Sequence, residues 1–259
     1  MSSDPLKQTR YTQSVGSGLE VNMPSVVKVW TGLFKHWRQR ANEFASTLPA
    51  DERECARRYF RREDQERFVI TRALIRRVCA AHTGLEPHAV MFRQTSLGKP
   101  YLASEERARH RKKLEFNVSH SGDCVLIAWT EGGPVGVDVE ALEPDRPVSF
   151  AEIASSAFSA DECAVLSSIR AEETAATFYR VWVRKEAVLK AEGCGVGGPL
   201  KSFSVVVRTP LGTRWLDEVS FPSSDRVWSI VDLTPAPVHV ASVAVPLGAI
   251  VEKCTHFLE

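Results

Sequence analysis

Several things are scarce in this 259-residue chain, and each scarcity excludes something. The six cysteines, Cys55, Cys79, Cys124, Cys163, Cys194 and Cys254, never fall in CxxC spacing. That argues against a zinc site or a disulfide framework and for a reducing compartment. No apolar run approaches the ~20 residues of a membrane span, and no secretory apolar region follows the start. The expectation is a cytoplasmic protein with no membrane partner. Net charge is only +1, so the average charge announces no anionic partner. What remains is ordinary for a soluble globular protein: 44% hydrophobic and 25% charged residues, in a chain long enough to bury a real core.

The charge is unevenly placed. Arg53, Arg57, Arg58, Arg61, Arg62, Arg67, Arg72, Arg76 and Arg77 crowd one segment against Glu54, Glu63, Asp64 and Glu66. Such a run is either a solvated helix face or a phosphate-binding surface. Nucleic acid would be a third partner, but no aromatic-rich recognition motif accompanies the arginines, and none is expected. Residues 1–20, rich in Ser, Thr, Gln and Gly, read as a disordered leader. SVVKVW (Ser25–Trp30) has a strand pattern, and from Pro49 to Gly84 the pattern turns helical. CVLIAWT (Cys124–Thr130) reads as an apolar strand joined through EGGP to VGVDVE as a hairpin. Helical patterns return in AEIASSAF, SADECAVL and TAATFYRVWVRKEAVLKAEG, followed by strands in SFSVVVR, RVWSIVDL and HVASVAV. CVLIAWTEGG and HVASVAVPLG echo each other, each late in its own half. The division expected is an N-terminal lobe over 21–133 and a C-terminal lobe over 134–259.

VGVDVE (Val135–Glu140) poses the chemical question. In a strand the three valines share one face and Asp138 and Glu140 the other, roughly 6–7 Å apart at Cα. Two like charges so placed are costly unless a cation lies between them. A hard divalent ion such as Mg²⁺, which takes one or two carboxylates plus substrate phosphates, would resolve the repulsion. A solvent-facing edge strand would do so too. In WVRKEAVLK, Trp182, Glu186 and Lys190 fall on one stripe at i, i+4, i+8. Glu186 is a candidate third oxygen ligand and Lys190 a candidate phosphate contact, in a helix otherwise too apolar for its charges to form a solvated face. The glycines of GCGVGG allow close backbone approach.

LGKPYL, FNVSHS, VGVDVE and WVRKEAVLKAEGCG, in that order, resemble the signature motifs of the 4′-phosphopantetheinyl transferase superfamily. The similarity is to the larger, surfactin-synthetase type, whose monomer holds two similar halves, and it runs from about Leu48 to Val206. The resemblance implies an α+β fold of two lobes related by a pseudo-twofold, each an antiparallel sheet packed on helices. It implies transfer of 4′-phosphopantetheine from coenzyme A to a serine of an apo acyl or peptidyl carrier protein, with release of adenosine 3′,5′-bisphosphate. It also implies Mg²⁺ held by Asp138, Glu140 and Glu186, and a phosphate contact at Lys190. Asn117, Ser119 and His120 match the segment that holds the coenzyme A phosphates, Lys99 another phosphate contact, and Arg67, joined by Arg93, the 3′-phosphate site.

A general base must take the serine proton. Glu186 is the first candidate. Glu162 is the second, since it aligns with a family glutamate assigned that role, but Ser159-Ala-Asp-Glu162 is also a capping box. Trp182 is expected in the core beneath the site. A Mg²⁺-dependent nuclease or phosphodiesterase, and a non-catalytic carrier-binding module, are the alternatives.

Overall fold

A computed structural model of the chain describes residues 24–103, 113–143, 149–195 and 197–254. The expected leader and all but Lys113 of the basic run RARHRKK lie outside the described residues. The first half runs β1 (Val26–Leu33), α1 (Ala41–Ser46), α2 (Ala50–Arg57), α3 (Arg62–Thr83), β2 (Phe92–Gln94), β3 (Pro100–Leu102), β4 (Glu115–Ser121) and β5 (Cys124–Thr130). The second runs β6 (Gly136–Ala141), α4 (Phe150–Ala157), α5 (Ala160–Ser168), α6 (Ala171–Glu192), β7 (Val206–Thr209), β8 (Gly212–Trp215), β9 (Glu218–Ser220), β10 (Val227–Leu233), β11 (His239–Pro246) and β12 (Ile250–Cys254).

The two halves repeat one topology. Each opens on a strand, passes through three helices and a small two-stranded pair, and closes on a hairpin whose second strand returns antiparallel to the first. The sheets are ordered β12-β1-β5-β4 and β6-β11-β10-β9. The longest helix of each half, α3 or α6, stops at a left-handed glycine, Gly84 (φ 70°) or Gly193 (φ 77°), where a side chain would be strained. The chain is α+β, and the faint echo between CVLIAWTEGG and HVASVAVPLG marks a true repeat of β5 in β11.

Helices cover the outer face of each sheet, and the inner faces pack on one another. Val27, Val29, Leu126 and Ala128 meet Val137, Val139, Val243 and Val245 there, all buried. Each such valine contributes about 1.5–3 kcal/mol by burial. This settles one face of VGVDVE: the valines hold the sheets together, and Gly136, Asp138 and Glu140 face α6.

Three expectations change. The EGGP hairpin does not form, because β5 pairs with β1 and β4 while β6 pairs with β11 in the other sheet. The tight hairpin instead joins FNVSHS to CVLIAWT, with Gly122 at φ 56° in its two-residue turn. β12, expected in the second lobe, crosses to pair parallel with β1, so the sheet of the first half is completed by the end of the chain. The helical stretch from Pro49 breaks at Arg58–Arg61 into α2 and α3.

Candidate active site

The site is built at the free edge of β6. Its other edge pairs with β11, which leaves the N–H groups of Val137, Val139 and Ala141 without a strand partner. β4, itself an edge strand of the first sheet, supplies them through side chains. Asn117 Oδ1 accepts from Val137 N–H (2.9 Å), Ser119 Oγ from Val139 N–H (3.4 Å) and Ser121 Oγ from Ala141 N–H (3.1 Å). The alternation of FNVSHS turns 117, 119 and 121 to one face, matched two by two with 137, 139 and 141.

Two members of this seam also reach the carboxylates. Ser119 Oγ donates to Asp138 Oδ1 (2.8 Å), and Ser121 Oγ donates to Glu140 Oε2 (2.7 Å). Lys190 Nζ reaches the same Asp138 Oδ1 at 2.6 Å and Ser119 Oγ at 3.1 Å. Asp138 is buried, and its Oδ2 is both buried and without a hydrogen-bond partner.

α6 lies against β6 because Gly136 has no side chain. A Cβ there would stand 2.0 Å from the carbonyl oxygen of Ala187 and 2.4 Å from the amide nitrogen of Ala191. That close approach sets Glu186 and Lys190 over the carboxylates. Glu186 is half-buried, and no hydrogen bond to it is found among the described residues. Burial raises its pKa above the ordinary carboxylate value, and the charges of Asp138 and Glu140 add to this against the opposing pull of Lys190. The structure therefore brings Asp138, Glu140, Glu186 and Lys190 into one electrostatic neighbourhood.

His120 alternates with the seam residues, so it points to the other face of β4, edge-on to Phe34 (6.0 Å between ring centroids). Its ring is accessible at the rim. Surrounding bulk holds its pKa below the usual imidazole value, and the positive charges of Arg67 and Lys190 act in the same direction. Arg67, on α3, pairs with Asp64 (3.3 Å) and keeps its Nε buried without a partner. Two cationic groups, Arg67 from α3 and Lys190 from α6, thus flank the imidazole of His120 at one end of β4.

Lys99 lies on the same wall. Its Nζ donates to the carbonyls of Lys190 (2.6 Å) and Val135 (3.3 Å), and burial lowers its pKa. Arg93 is exposed on β2, opposite Tyr101. Asn117 is buried, and its side-chain amide oxygen on the β6 main chain makes it a strut between β4 and β6.

Glu162 is fully buried and fully bonded. Its Oε1 accepts from Lys185 Nζ (2.8 Å) and Val205 N–H (2.8 Å), and its Oε2 from Ser159 N–H (2.9 Å) in a complete capping box. A carboxylate so enclosed has no route to a substrate proton, so the capping reading holds and the base reading does not. The charges of WVRKEAVLK divide three ways. Lys185 enters the core to Glu162, and Arg184 binds Asp232 (2.7 Å) and stacks on Trp215, while Glu186 and Lys190 face β6. Trp182 stacks on Phe178 in the core, as expected. The arginine cluster divides likewise. Arg72 and Arg76 grip the buried Glu52, and Arg53 caps the Leu48 carbonyl. Sequence reading missed Glu52, Gly136, Ser121, Arg184 and Lys185. For Ser121 the signal was present, in the equal two-residue spacing of NVSHS and DVEA.

Among the described residues, no three His, Cys, Asp or Glu side chains are gathered closely enough to hold a metal by themselves. Two features still fit a cation that completes its shell with phosphate and water: the orphan Oδ2 of Asp138, and the mutual repulsion on Glu186. A groove of 1270 Å³ opens elsewhere, against Lys28, Val78, His82, Trp129, Glu131 and Leu247, and no carboxylate of the site lines it.

A sheet edge carrying two carboxylates, faced by a helical Glu and Lys and ringed by cations, suits the transfer of a phosphate-bearing group. Comparison with known proteins gives the class. Residues 29–131 match the family model for the N-terminal part of 4′-phosphopantetheinyl transferases, and residues 134–231 match that of the 4′-phosphopantetheinyl transferase superfamily. The chain is 31% identical over 219 residues to the 4′-phosphopantetheinyl transferase HetI of Nostoc sp., covering 85% of this chain and 87% of that protein. It is 34% identical over 168 residues to the 4′-phosphopantetheinyl transferase Sfp of Bacillus subtilis, covering 64% and 70%. A phosphopantetheinyl transferase of Thraustochytrium sp. is 30% identical over 210 residues, covering 75% and 70%. The chain belongs to the 4′-phosphopantetheinyl transferase superfamily, in its larger, Sfp-like form, and is an enzyme of that class. No helix among the described residues is long and apolar enough to cross a membrane.

Proposed function

We propose that the enzyme transfers 4′-phosphopantetheine from coenzyme A to a serine of an apo acyl or peptidyl carrier protein, releasing adenosine 3′,5′-bisphosphate, as a cytoplasmic monomer. The observation that carries this reading is Asp138. It is buried between Ser119 and Lys190 with one oxygen unpartnered, under a helical Glu186 whose charge it repels.

The adenosine end of coenzyme A carries a 3′-phosphate, and Arg67 and His120 at the rim suit it, Arg67 with an unsatisfied Nε. Lys190 and Lys99 would bind the pyrophosphate and stabilise charge developing on its oxygens. Asp138, Glu140 and Glu186 would hold Mg²⁺, which, when bound, neutralises the pyrophosphate and polarises the phosphorus under attack. The carrier serine oxygen forms a bond to the β-phosphorus, and the bond from that phosphorus to the bridging oxygen breaks. Adenosine 3′,5′-bisphosphate leaves with that oxygen. Glu186, set over the carboxylates by the close approach of α6, is the residue placed to accept the serine proton.

Incubation with coenzyme A, Mg²⁺ and an apo carrier, followed by mass measurement of the carrier, tests the reading. One added phosphopantetheine per carrier is expected, abolished in Asp138→Ala and Glu186→Ala. Cleavage of nucleic acid or of coenzyme A without a mass gain, or binding without reaction, would replace the transferase reading by a nuclease, a phosphodiesterase or a carrier-binding module.

A further inference from the structure

We propose that Ser121 is a positioning residue that fixes Glu140 as a cation ligand. This rests on the reading of Asp138, Glu140 and Glu186 as the ligands. A serine hydroxyl has one proton and two lone pairs. At Ser121 a lone pair is engaged by Ala141 N–H (3.1 Å), and the proton then points to Glu140 Oε2 (2.7 Å). The hydroxyl is therefore held by the strand that it orients.

Ser119 repeats the device two residues earlier, between Val139 N–H and Asp138 Oδ1. At Asp138 the result is visible: one oxygen is occupied and the other is left unpartnered. The paired spacing gives each carboxylate its own hydroxyl, and each hydroxyl is anchored to the N–H that follows that carboxylate. Glu140 is half-buried at the end of β6 and has one more rotatable bond than Asp138, so it has more freedom to lose. Its hydroxyl clamp should count for more.

A seam that merely stitches β4 to β6 would make the same contacts, so the test reads metal binding and stability separately. Mn²⁺ is titrated into the full-length protein with coenzyme A present, and binding is followed by electron paramagnetic resonance. Melting temperature is recorded for each variant. Ser121→Ala is expected to bind Mn²⁺ about 10–100-fold more weakly, the usual cost of losing an outer-shell partner, while still folding. Ser121→Thr keeps the hydroxyl and is expected to bind within a few-fold of the unaltered chain. If alanine prevents folding, Ser121→Cys, with similar shape and a weak donor, gives the same readout. Unaltered Mn²⁺ affinity in Ser121→Ala overturns the proposal while leaving the ligand reading intact. Equal losses in the Thr and Ala variants overturn it as well. If the unaltered chain binds no Mn²⁺ yet modifies a carrier, the ligand reading fails and takes the proposal with it.

Discussion

Replacing Gly136 by alanine places one methyl group where the backbone of α6 now runs. The added Cβ would lie 2.0 Å from Ala187 O and 2.4 Å from Ala191 N, main-chain atoms that cannot rotate away. Restoring an ordinary 3.4 Å contact requires about 1.4 Å of separation between β6 and the helix. Overpacking of this kind costs about 1–3 kcal/mol. Taking about 2 kcal/mol, a domain of this size should melt about 4–8 °C lower. The same shift carries Glu186 and Lys190 away from Asp138 and Glu140, and a displacement of ~1 Å at a reacting centre costs on the order of 10²-fold in rate. The assay is carrier modification under saturating coenzyme A, beside thermal melting of the same preparation. The expected rate loss is far larger than the small stability loss would cause at 25 °C. A Gly136→Ala protein that melts and turns over like the unaltered chain would refute it, because the helix would then not be set by that contact.

Two further outcomes follow from the buried charges. Glu162→Gln leaves Lys185 uncompensated in the core and should lower unfolding stability by about 3–5 kcal/mol in urea titration, with kcat of the folded fraction reduced only a few-fold. A loss as complete as that of Glu186→Ala would return Glu162 to the role of base. Asp232 resists its own burial, which alone would raise its pKa. The Arg184 hydrogen bond and charge, the Ser242 hydroxyl and Arg180 outweigh that and hold it below the ordinary carboxylate value. With the folded pKa depressed, the unfolded chain binds the proton more readily, so this stability is present above the unfolded carboxylate pKa and lost as pH falls through the folded one. Melting temperature measured from neutral to acid pH should fall across that window, and Asp232→Asn should flatten the fall. An unchanged acid limb would contradict the assignment.

The parts legible in sequence were those whose signal is local. VGVDVE announced both its faces by alternation alone, and the stripe of Glu186 and Lys190 announced the side of α6 that meets it. Gly84 and Gly193 marked helix ends because only glycine takes the left-handed cap without strain. Partner choice was not legible. EGGP looks like a hairpin turn, yet β6 takes β11 as its neighbour, because the valine face is buried only when the two sheets stack. Nor does sequence tell a phosphate-binding arginine from a strut. Arg72 and Arg76 find Glu52 across a helix boundary, whereas Arg67 pairs with Asp64 on its own helix, and nothing local in the sequence separates the two cases. The repeat does not extend to the carboxylates. With β5 laid on β11, Gly136, Asp138 and Glu140 correspond in register to Lys28, Trp30 and Gly32 of β1. The first half has kept the topology with no carboxylate at those positions.

The most direct test is a crystal structure with coenzyme A and Mn²⁺ bound, using the anomalous signal of the manganese. One peak is predicted about 2 Å from oxygens of Asp138, Glu140 and Glu186, with the pyrophosphate in its shell and Asp138 Oδ2 turned to it. A peak elsewhere, or coenzyme A bound with those three carboxylates far from both metal and pyrophosphate, would contradict the account.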